Sequence, residues 1–460
     1  MLNVSITPHR EFLPADSPAQ KLFLMLKLRP TQEAANSRPS TTFAFIIDTS
    51  GSMYEVVVGE PQPTGRTFFS DGKEYNEVTG AKSKIDIVME SLQTLVDSGR
   101  LDVSDRVALI QFDDSATTIL PLTSATQAST IKDAIAKLRD FSGGTRMGLG
   151  LRHAFDLLGS QQMTSRRIVL FTDGETFDED YCLELVPHFA TSNIPITAIG
   201  VGDYKDDLLL KLSDTTGGFP IHVDPDATPG GPAISITELP NTIIQEFNRA
   251  QQDVINNLKM TVQTVKGVTL NRIVRAYPEQ AEFSLTNDPY PIGNATANDE
   301  TIFILEFNLE SRPAQRVRIA RLGLTYDVPG QNRRGELPPQ NVVVQFVAGQ
   351  MGAQVDQEVM GYVQQCNIGD MVKRATILAD SNPEQAEHLL QTAQKITQRL
   401  GNSSMTRSLG DARDELRKTR KISPERSKTI KMGSKGKTVR MGGDVNDAIS
   451  DEQIRKISGI

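Results

Sequence analysis

The sequence predicts a doubly wound, mostly parallel α/β domain set within an antiparallel β protein that ends in helices. Three observations carry this reading. Between Thr41 and Gln251, short apolar runs alternate with helical periodicities. Before and after that stretch, strand-like segments follow one another without an intervening helical pattern. From Gln354 to Lys421 the pattern becomes helical.

The N-terminal segments Asn3–Thr7 and Lys21–Arg29 (KLFLMLKLR) read as strands joined by a Pro-containing loop. The polar linker Pro30–Ser40 closes a unit too small to bury a core alone, so residues 1–40 need partners later in the chain. Phe43–Ile47, Arg106–Phe112, Ile168–Phe171 and Ile196–Val201 are continuous apolar runs, which suit parallel strands covered on both faces. Between them, Ile85, Val88, Leu92 and Leu95 recur at helical spacing, as do Ile131, Ile135 and Leu138. Met147–Leu158, Glu184–Thr191 and Leu239–Gln251 also read as helices. This alternation predicts right-handed βαβ units in a domain spanning residues 41–251.

Val254–Val265, Val268–Arg275, Thr301–Leu309, Gln315–Asp327 and Gln340–Phe346 return to strand character. They predict an antiparallel β-sandwich over residues 252–348, completed by the N-terminal strands. In the helical region, 354–421, Asn382-Pro383-Glu384 is a helix start, and Gly401 follows the stripe Leu389, Ala393, Ile396, Leu400 as a stop. Residues 422–460 are expected to be a flexible basic tail, with a weak helical pattern over Asp447–Ile457.

Composition narrows the function classes. Of 460 residues, 38% are hydrophobic and 23% charged, which suits a globular chain rather than a disordered or membrane-embedded one. No apolar run reaches the ~18 residues of a spanning helix. The start Met1–Ser5 lacks the basic and apolar stretches of a signal peptide, so a cytoplasmic location is expected. Cys182 and Cys366 are far apart and outside any CxxC, which argues against zinc or a disulfide framework. The net charge is −8, yet Arg413–Met441 holds eleven Lys/Arg against three acids. A basic segment on an acidic body suits an anionic partner, folding back, or solvated disorder.

The chemistry concentrates at Asp48-Thr49-Ser50-Gly51-Ser52, directly after an apolar strand. Ligands of open α/β sheets bind at the carboxyl ends of strands. Asp48, Ser50 and Ser52 alternate, Asp173 follows the strand Ile168–Phe171, and Thr145 follows Gly143-Gly144 just before a helix. Together they bring two carboxylates and three hydroxyls to one sheet edge. Such an all-oxygen donor set suits Mg²⁺, Mn²⁺ or Ca²⁺.

These three segments, DTSGS, GGT and TDG, resemble the metal-ion-dependent adhesion site of von Willebrand factor A domains, whose fold is Rossmann-like. The resemblance covers about 210 residues. It implies that Ser50, Ser52 and Thr145 contact the ion and that Asp48 and Asp173 act largely through water. It further implies that an acidic side chain of a protein partner completes the coordination. The connection from Ser52 to Ile85 is longer than a minimal domain of this kind has. Its segment Gly59–Tyr75 carries Arg66, Phe68 and Phe69, residue types that favour interfaces. A specificity loop and a tolerated surface insertion both fit it.

Other motifs carry less. Gly436-Lys437-Thr438 lacks the first glycine of a phosphate loop, because Lys431 stands there. His9, His153, His188, His222 and His388 show no ligand spacing, and no nucleophile motif is present. No nucleic-acid partner is expected. The tail repeats K-T-[IV]-[KR]-M-G from Lys428 and from Lys437, which offers Thr429 and Thr438 as phosphorylation sites. The combined expectation is a non-enzymatic, metal-dependent protein-interaction module. By the resemblance it works with a MoxR-type AAA+ ATPase, a Ser/Thr kinase or a forkhead-associated domain protein. A metal-dependent hydrolase, a chelatase-type subunit and a scaffold with a phosphothreonine-regulated tail are the alternatives.

Overall fold

The computed structural model describes residues 1–70, 73–202, 204–224, 227, 233–349, 355–436 and 438–441. The chain divides into two units: Arg38–Asp253 with Pro329–Gln331, and Met1–Ser37 with Val254–Val328 and Asn332 onward.

The first of these units contains a six-stranded sheet. Its order is Pro220–Val223, Ile196–Val201, Ser165–Thr172, Thr41–Asp48, Arg106–Phe112 and Ala116–Ser124. All neighbours are parallel except the last pair. Every residue of Thr41–Asp48 is buried, which is why this strand reads as an unbroken apolar run. Helices Lys84–Asp97, Ala128–Ala136, Met147–Leu158, Glu179–Ser192 and Asp206–Thr216 join the strands, and Leu239–Gln252 follows the last of them. Gly150 lets the helix Met147–Leu158 come close to the central strand, since a Cβ there would lie 2.9 Å from Ile46 Cγ2. The doubly wound α/β architecture is the one the alternating pattern predicts.

The second unit holds two five-stranded sheets. One runs Leu2–Pro8, Gln20–Pro30, Thr301–Leu309, Val268–Tyr277 and Ala281–Phe283. The other runs Tyr290–Thr296, Asp253–Thr264, Arg316–Val328, Arg333–Val347 and Phe12–Pro14. Their inner faces share one apolar core, as in a sandwich. The N-terminal strands take part in both sheets. Strand Gln20–Pro30 alternates between two cores: Leu22, Leu24, Leu26 and Leu28 point into the sandwich, whereas Phe23 and Met25 pack with the C-terminal helices. Burial on both faces accounts for its almost unbroken apolar sequence.

Those helices are Gln357–Leu378, Pro383–Arg399, Ser403–Thr419 and Pro424–Lys435. Asn382 caps the second through its side chain to the Gln385 amide at 3.2 Å, and Asn402 caps the third to Met405 at 3.1 Å.

The expectation of a flexible tail from residue 422 is corrected over its first part. Pro424–Lys435 is a helix that buries Ile430 and Met432, and the segment 438–441 is held by hydrogen bonds. Thr438 donates both its amide, at 3.0 Å, and its hydroxyl, at 2.8 Å, to the Pro278 carbonyl. Val439 N–H reaches Gln365 Oε1 at 3.1 Å, and Met441 N–H reaches the Tyr362 hydroxyl at 3.0 Å. Arg440 pairs with Glu300 at 3.1 Å. The reason is apolar: both copies of the repeated motif place methionine, Met432 and Met441, in buried positions. Modification of the buried Thr438 hydroxyl would therefore require this segment to undock. Thr429 lies within the helix, its hydroxyl donating to Glu425 O at 2.9 Å. Asp447–Ile457 lies outside the described residues.

Tyr362 is fully buried, and its hydroxyl is the acceptor for Met441. Tyr362→Phe leaves that amide without its acceptor, a cost of about 1–3 kcal/mol. The expected outcome is faster tryptic cleavage after Arg440 in the variant than in the native chain, followed by mass spectrometry. Equal cleavage rates would show that the hydroxyl does not hold the segment.

Candidate metal centre

Strands Thr41–Asp48 and Ser165–Thr172 are parallel neighbours with Ile47 opposite Phe171. That register brings Asp48 and Asp173 to the same edge. It is also where the chain order reverses in the sheet, the usual ligand crevice of such folds.

The turn after Asp48 is tightly held. Thr49 donates its amide to Phe112 O at 2.9 Å and its hydroxyl to Gln111 Oε1 at 2.9 Å. Ser50 N–H donates to Asp48 Oδ1 at 2.9 Å, and Thr172 Oγ1 donates to Asp48 Oδ2 at 2.7 Å. The Ser50 and Ser52 hydroxyls lie 3.2 Å apart, and Ser52 donates to Asp173 Oδ1 at 2.8 Å. Asp48, Ser50, Thr145 and Asp173 are buried, while Ser52 is exposed and marks the opening.

Thr145 is positioned by its loop. Gly51 N–H donates to Gly143 O at 3.1 Å, tying the loop to the turn after Asp48. Gly144 N–H donates to Asp114 Oδ2 at 3.0 Å. A Cβ on Gly144 would lie 2.5 Å from Asp114 Oδ1, so a larger residue there would displace the Asp114 carboxylate. The Thr145 carbonyl accepts from Phe177 N–H at 2.9 Å and from Thr176 Oγ1 at 3.1 Å. The structure thus links Asp48, Ser50, Ser52 and Asp173 directly, and brings Thr145 to them through Gly143.

Sequence reasoning missed Lys84. Its Nζ donates to Asp173 Oδ2 at 2.8 Å and to Glu55 Oε2 at 2.6 Å, with its side chain 8% exposed. Its pKa is raised: burial works against its charge, but the bonds to Asp173 and Glu55 prevail. One signal was available. Lys84 opens the helix Lys84–Asp97, where a cation faces the positive end of the helix dipole and needs an anionic partner. Asp114 was also missed, although it lies two residues beyond the apolar strand Arg106–Phe112.

The insertion after Ser52 is an antiparallel hairpin, Val56–Ser70 with Lys73–Ser83. Arg66 is 84% exposed there, 4.0 Å from Glu77. The side chains of Phe68 and Phe69 lie outside what the structure describes. A large exposed aromatic that sequence reasoning did not single out is Phe177, 78% exposed beside the Thr145 loop.

The donor set fits a hard divalent cation: carboxylate and hydroxyl oxygens, without sulfur or imidazole. Burial, and then the charge of Asp173, push the Asp48 carboxyl from its ordinary 3.8 to about 6. A folded-state pKa above the unfolded one means that stability is fully present below about pH 4 and is lost as pH rises through about 6. The loss is roughly 3 kcal/mol by 1.36 kcal/mol per pH unit. In EDTA, the native midpoint of thermal unfolding should therefore fall between pH 4 and 7, and Asp48→Asn should flatten that fall. A fall of the same size in Asp48→Asn would show that Asp48 is not its source.

Residues 43–228 match the family described as the von Willebrand factor type A domain, and residues 357–440 match the Sll0103-like, C-terminal alpha-helical domain. The chain is 25% identical over 227 residues to the uncharacterized protein YfbK of Escherichia coli, covering 46% of this chain and 34% of that protein. It is 23% identical over 251 residues to the uncharacterized protein sll0103 of Synechocystis, covering 51% and 56%. The chain thus spans between a third and a little over half of these relatives' lengths. In fold it is similar to a von Willebrand factor type A structure from Catenulispora acidiphila, with a TM-score of 0.73 at 16% identity over 96% of this chain and 97% of that one. The ArnB paralog VWA2 from Sulfolobus acidocaldarius gives 0.59 at 15% identity, over 95% and 99%. With the strand order and the family match agreeing, the chain carries a von Willebrand factor type A domain and, after it, a C-terminal helical domain of the Sll0103-like kind.

Proposed function

We propose that the domain is a metal-dependent protein-interaction module. Ser50, Ser52 and Thr145, with Asp48 and Asp173 behind them, would hold a divalent cation, Mg²⁺ foremost and Mn²⁺ or Ca²⁺ as substitutes. An acidic side chain of a partner protein completes its coordination. The observation that carries this reading is the hydrogen-bonded chain from Asp48 through the Ser50 amide, and from the Ser50 hydroxyl through Ser52 to Asp173, with Ser52 at the opening.

One feature favours a binding role. The rim presents the exposed Phe177, a residue type that favours interfaces. The hairpin bearing Arg66, Phe68 and Phe69 starts from the same turn, through Glu55, and extends the proposed contact surface. The partner is a protein with an accessible carboxylate, in an AAA+ ATPase-linked or phosphorylation-linked assembly within the cell. Among the described residues, no helix is long and apolar enough to cross a membrane.

The test is capture of partners from native lysate with Mg²⁺ and with EDTA, using the native chain and Asp48→Ala. The expected result is a partner held only with Mg²⁺ and lost in Asp48→Ala, whose circular dichroism is unchanged. A partner held equally in all conditions would move the contact away from this site.

A further inference from the structure

The site already contains a cation. Lys84 is the first residue of the helix Lys84–Asp97, and its side chain is 8% exposed, against 0% for Asp173. The helix start is an unfavourable place for positive charge, so the ion pairs with Asp173 and Glu55 are what hold it there. Asp173 uses its two oxygens differently. Oδ1 accepts from Ser52, on the side of the proposed ion, and Oδ2 accepts from Lys84. A bound ion and Lys84 would thus share one carboxylate without excluding each other, and would repel across it.

Charge follows from this arrangement. Within the hydrogen-bonded set, the buried carboxylates of Asp48 and Asp173 and the buried ammonium of Lys84, which pairs with Asp173, sum to a single negative charge. Glu55 is 68% exposed and is screened by solvent. A divalent ion would turn that negative charge into one surplus positive charge.

We propose that Lys84 is a resident counter-cation of the site, which weakens binding of the divalent ion and leaves the loaded site positively charged toward a carboxylate ligand. This rests on the metal-site reading of Asp48, Ser50, Ser52, Thr145 and Asp173. Its consequence is that metal affinity and ligand affinity are traded against each other through one residue. A site without Lys84 would hold its ion more firmly and attract a carboxylate less.

The experiment is calorimetric titration of the full chain with Mn²⁺ alone, followed by acetate titration of the Mn²⁺-saturated protein read by water-proton relaxation. Lys84→Met should tighten Mn²⁺ binding about tenfold or more and weaken acetate binding at least about threefold. Lys84→Arg keeps the charge and should stay within about threefold of the native chain for Mn²⁺. Glu55→Gln removes a screened negative charge and should weaken Mn²⁺ binding about two- to threefold. Unchanged or weaker Mn²⁺ binding in a folded Lys84→Met would overturn the proposal. If Lys84→Met does not fold, tighter or unchanged Mn²⁺ binding in Glu55→Gln overturns it instead. The native chain binding no Mn²⁺, or Asp48→Ala binding it equally well, would overturn the metal-site reading itself, a different and recognisable result.

Discussion

Parallel pairing of Thr41–Asp48 with Ser165–Thr172 is the constraint from which the site follows. The pairing carries both chains to the same edge and leaves two carboxylates close together in a buried place. Burying like charges is costly unless each is hydrogen-bonded and the pair is compensated. Much of the local structure answers that cost. Thr172 and the Ser50 amide serve Asp48, Ser52 and Lys84 serve Asp173, and the Gly143–Gly144 turn lies close enough to place Thr145 alongside. The fold creates an electrostatic demand, and the loops at the strand ends are the means of meeting it.

Much of this was legible from residues alone, for identifiable reasons. The strands Phe43–Ile47 and Ile168–Phe171 are buried on both faces, so their apolar runs mark them without ambiguity, and the aspartates that end them mark the edge. The sandwich strands were legible from turn residues between β-branched runs. Lys84 was not, because its meaning depends on Asp173 in space and not on any neighbour in sequence. The fourth C-terminal helix was missed because its twelve residues are largely polar, three of them Lys and two Ser, and only Ile430 and Met432 signal burial. Tertiary contact there overrides weak local preference. The hairpin Val56–Ser83 hid for another reason: Gly and Pro interrupt any alternation, and its register shifts three times along its length.

Strand Gln20–Pro30 helps to bind the helical domain to the sandwich. Its even-numbered leucines belong to one core and Phe23 and Met25 to the other. Removing the C-terminal helices would uncover apolar side chains on a sheet face. Helices and sandwich are therefore one stability unit, although the sequence divides them cleanly by periodicity.

That strand also carries a consequence for the order of events during synthesis. Gln20–Pro30 pairs with Leu2–Pro8, but on its other side it needs Thr301–Leu309, which the ribosome produces only after the whole α/β unit. The von Willebrand-type domain has every strand of its sheet in hand by Val223 and its closing helix by Gln252. It can fold on the nascent chain while the N-terminal strands wait for their partners. Once folded, it holds the two ends of its own stretch at fixed positions. The long-range pairing that follows is then closed by a rigid body instead of a flexible loop, which reduces the chain entropy lost when the sandwich assembles.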